Sequence, residues 1–391
     1  MALGRALRAR GHDVVLETWE RWRPYAEGEG LRFAASPEYH VFPTRERPLK
    51  PYEAVARAAV HTRELVRAER PDVVVADILT LAPALAGELE GVPVATVVPH
   101  VDPRSAPGFP PYSAGVRLPR TAAGRAVWDA AARAMAAGLE HGRVELNETR
   151  RRLGLPPQAR VHGGISDQLC LVATFPQLEY PRPGAGEPAT HVVGPLQWEP
   201  PFEAVELPPG DDPLVLVAPS TSQDRDHAML RAALTGLADL PIRVLATYNR
   251  RLPPVPLRVP ANARLVEWVS YARTMPHCDA VVCHAGHGTV VRALSSGCVV
   301  VACPAAGDMN ENAARVDWAS AGVRLPRRLV SSPAAVRLAV QRALGEPRFR
   351  EQARELAAWS ATHDAGARAA ELVERLAAAG APREPPAAPR A

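Results

Sequence analysis

A histidine closes an apolar run in the second half of the chain: Ala280–Cys283 leads into His284-Ala-Gly-His-Gly-Thr289. A second apolar run, Val299–Cys303, leads to Gly307-Asp-Met-Asn-Glu-Asn312. Gly286 and Gly288 let the backbone come close to a ligand. The free N–H groups of a helix starting near Thr289 suit an anion, and phosphate is the obvious candidate. His284 adds a side-chain donor, while Asp308 and Asn312 offer what sugar hydroxyls need. The chemistry these residues fit is the holding of a nucleotide-linked sugar. Ser220 and Thr221 follow another apolar run, Leu214–Ala218. Their hydroxyls are placed to bond phosphate oxygens, and equally to cap a helix.

Such loops need a scaffold that brings them to one edge. Each follows a short apolar run and precedes a segment of helical period, the alternation of a parallel α/β sheet, where ligands bind at the carboxyl ends of strands. The first half repeats the pattern. Helical spacing of Val55, Ala58, Ala59, Thr62, Leu65 and Val66 predicts a helix over 51–70, and Val73–Asp77 and Val94–Val98 read as strands flanking a helix over Leu81–Glu90. Asp77 and His100 then stand at carboxyl ends of strands. Each also reads as an ordinary loop residue, a turn carboxylate and a histidine satisfied by neighbours. The chain opens on a helix, Met1–Arg10, followed by a strand, His12–Glu17. A Pro-, Gly- and Ser-rich loop covers Asp102–Pro119, a long Ala- and Arg-rich helix Thr121–Leu153, and a strand Leu169–Thr174.

With 391 residues, 47% of them hydrophobic, the chain can bury two cores. Its 46 basic and 42 acidic residues are interspersed, so the net charge of +4 does not point to nucleic acid. Five cysteines, an odd number, four of them in or beside apolar strands, read as reduced buried thiols of a cytoplasmic protein. Cys278, Cys283, His284 and His287 are a poor zinc site, because the two cysteines bracket a strand instead of a tight knuckle. No apolar run approaches the roughly 18 residues of a membrane span, and no signal peptide is visible.

The stretch from Cys278 to Val323 resembles the donor-sugar signature of family 1 glycosyltransferases of the GT-B fold, the macrolide-type and UDP-sugar enzymes: HxGxGT, a downstream GxxxxxxP, and an acidic GD…EN loop, in that order. The resemblance implies two doubly wound, Rossmann-like parallel-sheet domains facing a cleft. An N-terminal acceptor domain would cover 1–195, a Pro- and acid-rich linker 196–212 and a nucleotide-sugar domain 213–345. Helices at 346–379 would cross back to the first domain on Phe349, Leu356, Trp359, Leu372 and Val373, ahead of a disordered tail at 380–391. In the family the first His contacts the diphosphate, which points to His284. The acidic residue after the second strand contacts the sugar, which points to Asp308. Trp268, with Val269, falls where the family stacks an aromatic ring on the nucleobase, although an indole also packs well in a core.

Two positions depart from the pattern. Met309 stands where the family often has Gln, and Arg292 where many members have a ribose-binding Glu. The resemblance also sets the family's first strand and its catalytic-His loop ahead of the opening helix. Neither is seen in this sequence, so the base is unassigned, with His100 and Asp77 as candidates and poor catalysis expected. The implied activity is inverting, metal-independent transfer of a sugar from a UDP- or dTDP-sugar to a hydroxyl of a small acceptor, a secondary-metabolite aglycone, with no cofactor beyond the donor. A catalytically silent sugar-nucleotide-binding or partner protein is the alternative, and a hydrolase or epimerase of nucleotide sugars a third.

Overall fold

The computed structural model describes residues 1–36, 53–182, 189–220, 224 and 226–380. The chain starts with helix α1 (Ala2–Ala9), strand β1 (Val15–Thr18), helix α2 (Arg23–Gly28) and strand β2 (Arg32–Ala35). It continues through α3 (Glu53–Glu69), β3 (Val74–Asp77), α4 (Leu81–Leu89), β4 (Val94–Val98), α5 (Ala122–Arg152), β5 (Leu169–Val172) and β6 (Thr190–Val192). The second half runs β7 (Leu214–Ala218), α6 (Ala228–Gly236), β8 (Arg243–Thr247), β9 (Ala263–Val266), α7 (Tyr271–Thr274), β10 (Ala280–Cys283), α8 (His287–Ser295) and β11 (Val299–Ala302). It closes with α9 (Asp308–Trp318), β12 (Gly322–Arg324), α10 (Pro333–Gly345), α11 (Pro347–Thr362) and α12 (Ala365–Gly380).

Every pairing among the described strands is parallel. In the second half the order is β12-β11-β10-β7-β8-β9, a doubly wound sheet whose order reverses between β7 and β10. Period-two side chains build both of its faces. Leu214, Leu216, Ala218, Val281, Cys283 and Val300 join one apolar cluster, and Val215, Val217, Ala280, Val282, Val299 and Val301 the other. Unbroken apolar runs are what a sheet covered on both sides demands.

The first half holds a four-stranded sheet, β3-β4-β5-β6, and a separate pair, β1-β2. Among the described residues no strand pairs β1-β2 with the four-stranded sheet. The stretch from Glu20 to Ala35, with α2 and β2, carried no clear sequence signal: β2 is four residues long with exposed ends.

The two halves share a core. Val101, Phe175 and Leu178 from loops of the first half pack with Leu214, Val290, Leu294 and Leu356 of the second. At the carboxyl end of the chain, Phe349 sits in a cluster of the second half, so it does not carry the crossing expected of it, whereas Leu356 lies in the shared core and Trp359 meets Phe175 at 5.6 Å. Leu372 and Val373 do, against Leu7, Ala95, Leu169 and Leu171. The break between α11 and α12 makes this possible, with Asp364 Oδ1 accepting from Ala367 N at 2.9 Å to start the new helix. The tail from 381 lies outside the described residues, as does Thr221.

Candidate functional site

The order reversal between β7 and β10 opens a crevice at the carboxyl ends of the second sheet, and both candidate phosphate loops border it. After β10 the chain turns through Ala285, a non-glycine residue at φ 62°, into Gly286, the N-cap of α8. A Cβ on Gly286 would lie 2.3 Å from His284 Nε2, so only glycine lets that ring lie across the loop. A Cβ on Gly288 would meet nothing within 4 Å, which leaves open space beside the first N–H groups of the helix. His284 Nδ1 is 3.4 Å from the Ala218 carbonyl. A carbonyl only accepts, so Nδ1 is the donor there and Nε2 is the nitrogen over Gly286. Burial lowers the pKa of His284, with the Ala218 carbonyl and Asp308 acting in the opposite sense.

Ser220, buried, lies two residues after β7 across the crevice. Thr289 is held from behind by a hydrogen bond with the partly buried Tyr271, which also bonds Asn249. Asp308 is the first residue of α9, after Gly307 at φ 55°. Asn312, expected to meet the sugar, lies on the same helix. It is 2% exposed, and its Nδ2 donates to the Ala285 carbonyl at 3.0 Å and lies 3.4 Å from Asp308 Oδ2. Its side chain thus clips α9 to the β10 loop and does not face an open space. Met309 packs against the shared core, and Arg292 is half-buried near Glu199, whose carboxylate accepts from the first N–H groups of α7.

Trp268 sits at the rim of the crevice side of β9. The Arg250 guanidinium lies 4.7 Å from its ring centroid, and Phe202 of the linker meets it at 5.6 Å and 61°. Its ring is therefore held by a small cation–aromatic stack outside the main clusters. Val269 is a core residue, 2% exposed, so only its backbone can meet a ligand. Arg250 belongs to a tight turn, Asn249 and Arg250 both at positive φ, closed by Arg251 N donating to the Tyr248 carbonyl at 3.0 Å.

On the facing edge, His100 follows β4. Its Nδ1 lies 2.7 Å from the Val101 carbonyl and 3.2 Å from the Tyr112 hydroxyl. The carbonyl requires a proton on Nδ1, which leaves Nε2 with its lone pair. Asp77 ends β3 and accepts from Leu79 N at 2.7 Å. Burial raises its pKa, while the Leu79 amide and His100 draw it back. Tyr112, on the long loop, was not singled out by sequence. Its hydroxyl pKa is raised by burial and by the charges of Asp308 and Glu311, which places it between the two edges. That loop also docks on α9, where a Cβ on Gly115 would lie 2.9 Å from Asn310 Cβ.

Buried ions fasten the same two edges. Arg315 of α9 bonds Glu311 Oε1 at 2.8 Å and the Leu178 carbonyl at 3.0 Å, and covers the Tyr180 ring. It also reaches Glu179 Oε2 at 3.4 Å, while Glu179 Oε1 accepts from Asp102 N at 2.7 Å. The cysteines are all free and buried, and no three His, Cys, Asp or Glu side chains converge as metal ligands among the described residues. No described helix is long and apolar enough to cross a membrane.

Two α/β units, with glycine- and hydroxyl-bearing loops at a topological switch point of one and strand ends of the other, define a two-domain ligand-cleft architecture. Known proteins make this specific. The family described as "Erythromycin biosynthesis protein CIII-like, C-terminal domain" matches residues 231–378. The chain is 30% identical to 4'-demethylrebeccamycin synthase of Lentzea aerocolonigenes over 94% of its own length and 93% of that protein's. It is 32% identical to aklavinone 7-beta-L-rhodosaminyltransferase of Streptomyces galilaeus over 42% of this chain and 37% of that one. Among solved structures, the glycotransferase of kitacinnamycin superposes with a TM-score of 0.74 at 21% identity, over 96% of this chain and 94% of that one. CalG4, the calicheamicin glycosyltransferase, gives 0.73 at 21% identity over 97% and 95%. The chain belongs to the family 1 glycosyltransferases of GT-B fold, and it is an enzyme of the secondary-metabolite type within them.

Proposed function

We propose that this glycosyltransferase moves a sugar from a UDP- or dTDP-sugar to a hydroxyl of an apolar small molecule, with inversion at the sugar carbon and without a metal. The observation that carries this reading is the pairing of the His284–Thr289 loop with Ser220 at the switch point of the second sheet. The diphosphate lies against the N–H groups that open α8, with His284 Nε2 beside it. The sugar faces Asp308, and the base lies toward Trp268. Thr221, which follows Ser220, shares the phosphate role.

The acceptor enters from the first half, where Trp19 and Leu79 are exposed one residue after β1 and two after β3, 41% and 79% respectively. His100 is the base. Its Nε2 takes the proton of the acceptor hydroxyl as that oxygen bonds C1, and the C1–O bond to phosphate breaks with its electron pair leaving on the diphosphate. Asp77 sits near enough to His100 to stabilise the imidazolium that results.

The test is a transfer assay with UDP- and dTDP-sugars against a panel of polycyclic phenols and alcohols, with and without EDTA, alongside calorimetric titration of UDP and dTDP. Transfer unaffected by EDTA, with product of inverted anomeric configuration, is expected. His284→Ala should remove most of the nucleotide affinity, and His100→Ala should cut turnover about 10²–10⁴-fold with nucleotide affinity kept. An unchanged nucleotide affinity in His284→Ala sinks the diphosphate assignment. Tight donor binding with no transfer to any acceptor would favour a silent sugar-nucleotide-binding protein.

A further inference from the structure

Between Gly286 and Gly288 lies a side chain that the donor reading does not use. His287, the first residue of α8, is 8% exposed, and its Nε2 is 2.9 Å from the hydroxyl of Thr174, which is itself fully buried. Thr174 comes two residues after β5. The same ring also meets the carbonyl of Pro99, the residue after β4, and stands close enough to His100 to feel its charge. One imidazole from the start of a second-half helix thus touches the carboxyl ends of two neighbouring strands of the first half. Its two polar contacts are complementary. A neutral ring has one N–H and one lone pair; the Pro99 carbonyl only accepts, while the Thr174 hydroxyl can donate to Nε2. Burial pushes the ring's pKa down to about 3, so this neutral form persists throughout the working range of such an enzyme.

The position matters because of what lies on either side of it. In chain order the residues next to His287 are the two glycines that open the anion site, and Pro99 is next to His100. A shift of His287 therefore moves the Gly286–Thr289 loop relative to the acceptor edge; Arg315 also crosses, to the Leu178 carbonyl and Glu179, but from α9 instead of the glycine loop. Phe175, immediately after Thr174, supports the contact by packing in the shared core and against Trp359 at 5.6 Å.

We propose that His287 is a positioning residue for sugar transfer: its bridge to Thr174 and Pro99 sets the distance and angle between the anion loop of α8 and the acceptor edge at His100. This rests on the donor site being at Gly286–Thr289. Misplacement by about 1 Å can cost 10²-fold in rate while leaving each substrate's own contacts intact, so the signature is a fall in kcat without a loss of donor affinity.

The experiment compares His287→Ala, His287→Gln, Thr174→Val and the His287→Ala/Thr174→Val double variant. Each is measured for kcat, for KM of donor and acceptor, and for UDP affinity by calorimetry, with folding checked by thermal melting. His287→Ala is expected to lower kcat about 10- to 100-fold with UDP affinity within about twofold of the parent. His287→Gln, whose Oε1 can accept from Thr174 as Nε2 does, should recover at least half of the loss on a logarithmic scale. Thr174→Val keeps the shape and removes only the hydroxyl, so it should lower kcat in the same sense. The double variant should be no worse than His287→Ala alone, because the two residues act through one contact. Should His287→Ala not fold, His287→Gln and Thr174→Val carry the comparison. Parallel losses of UDP affinity and kcat, or an unchanged kcat in Thr174→Val, would overturn the positioning role. Failure of the donor reading looks different: the parent itself would not bind UDP or dTDP, or would bind them as well after His284→Ala.

Discussion

Trp268 shows how one residue can answer to two roles. A nucleobase stacked on its indole must share or displace the Arg250 guanidinium, and an exposed cation–π contact is worth only about 0.5–1 kcal/mol. Stacking of a base on an aromatic ring is worth about 1–3 kcal/mol, so the base wins the exchange. Trp268→Ala is accordingly expected to weaken UDP and dTDP alike, by roughly 1–2 kcal/mol after that displacement, whereas Arg250→Ala should weaken neither. Titration calorimetry of both variants decides it, and equal affinities in parent and Trp268→Ala would make the ring a packing element with Phe202.

His284 carries a pH signature at the same scale. Burial lowers its pKa in the free protein, and a diphosphate beside Nε2 raises it by stabilising the charged ring. Binding that takes up a proton weakens as pH rises, so UDP affinity should decline from pH 6 to 8 in the parent. In His284→Gln, which cannot titrate, that part of the slope should vanish.

Among the elements, α9 brings the long loop after β4 and the loop after β10 together. Its first turn holds Asp308, its second the Asn312 clip to Ala285, and its third Arg315. Two substitutions separate reading the sugar from bracing the loop. Asp308→Ala should weaken a sugar nucleotide by about 1.5–3 kcal/mol more than free UDP, because it removes a charged hydrogen bond to the sugar alone. Asn312→Ala takes away the partner of the Ala285 carbonyl, so both ligands should weaken together and the melting temperature should fall with an orphaned buried acceptor worth about 1–3 kcal/mol. Competition binding of UDP and of a UDP-sugar on each variant makes the comparison. A uniform loss in Asp308→Ala would reassign that carboxylate to the helix terminus, where a negative charge is favourable in any case.

For the whole molecule, the two halves meet through a shared apolar core, a buried ion cluster around Arg315, and the neutral His287 bridge. His287 makes this interface sensitive to acid. Its pKa in the folded protein, about 3, lies below the ordinary histidine value, so the unfolded chain takes up a proton first as pH falls. The stability it contributes is complete above about pH 6.5 and is lost progressively toward pH 3. Within that window the cost is about 1.4 kcal/mol per pH unit. Denaturant midpoints at pH 7.5, 6 and 5 should fall steadily in the parent and less steeply in His287→Gln; identical slopes would show that the ring titrates freely.

Much of this was legible in the residues. The unbroken runs Leu214–Ala218, Ala280–Cys283 and Val299–Ala302, each followed by a helix-period segment, read as strands covered on both faces, and the glycines and hydroxyls after them as lying at one sheet edge, because run length and side-chain period are local properties. Local signals also marked the donor loop, the long loop after β4 and the helix of residues 122–152. Contacts between distant segments had no such signal. No residue type announced that the Asn312 amide would donate to the Ala285 carbonyl or that the Val269 side chain would lie in the core. Phe349 and Leu372 read alike as helix anchors, yet a capped break at Asp364 sends them to different halves. His287 carried only the weak mark of a second histidine in a glycine loop. What gives it a role is Thr174, 113 residues away in sequence, and a pairing across that separation is decided by how two sheets dock, which no short-range pattern of residue types contains.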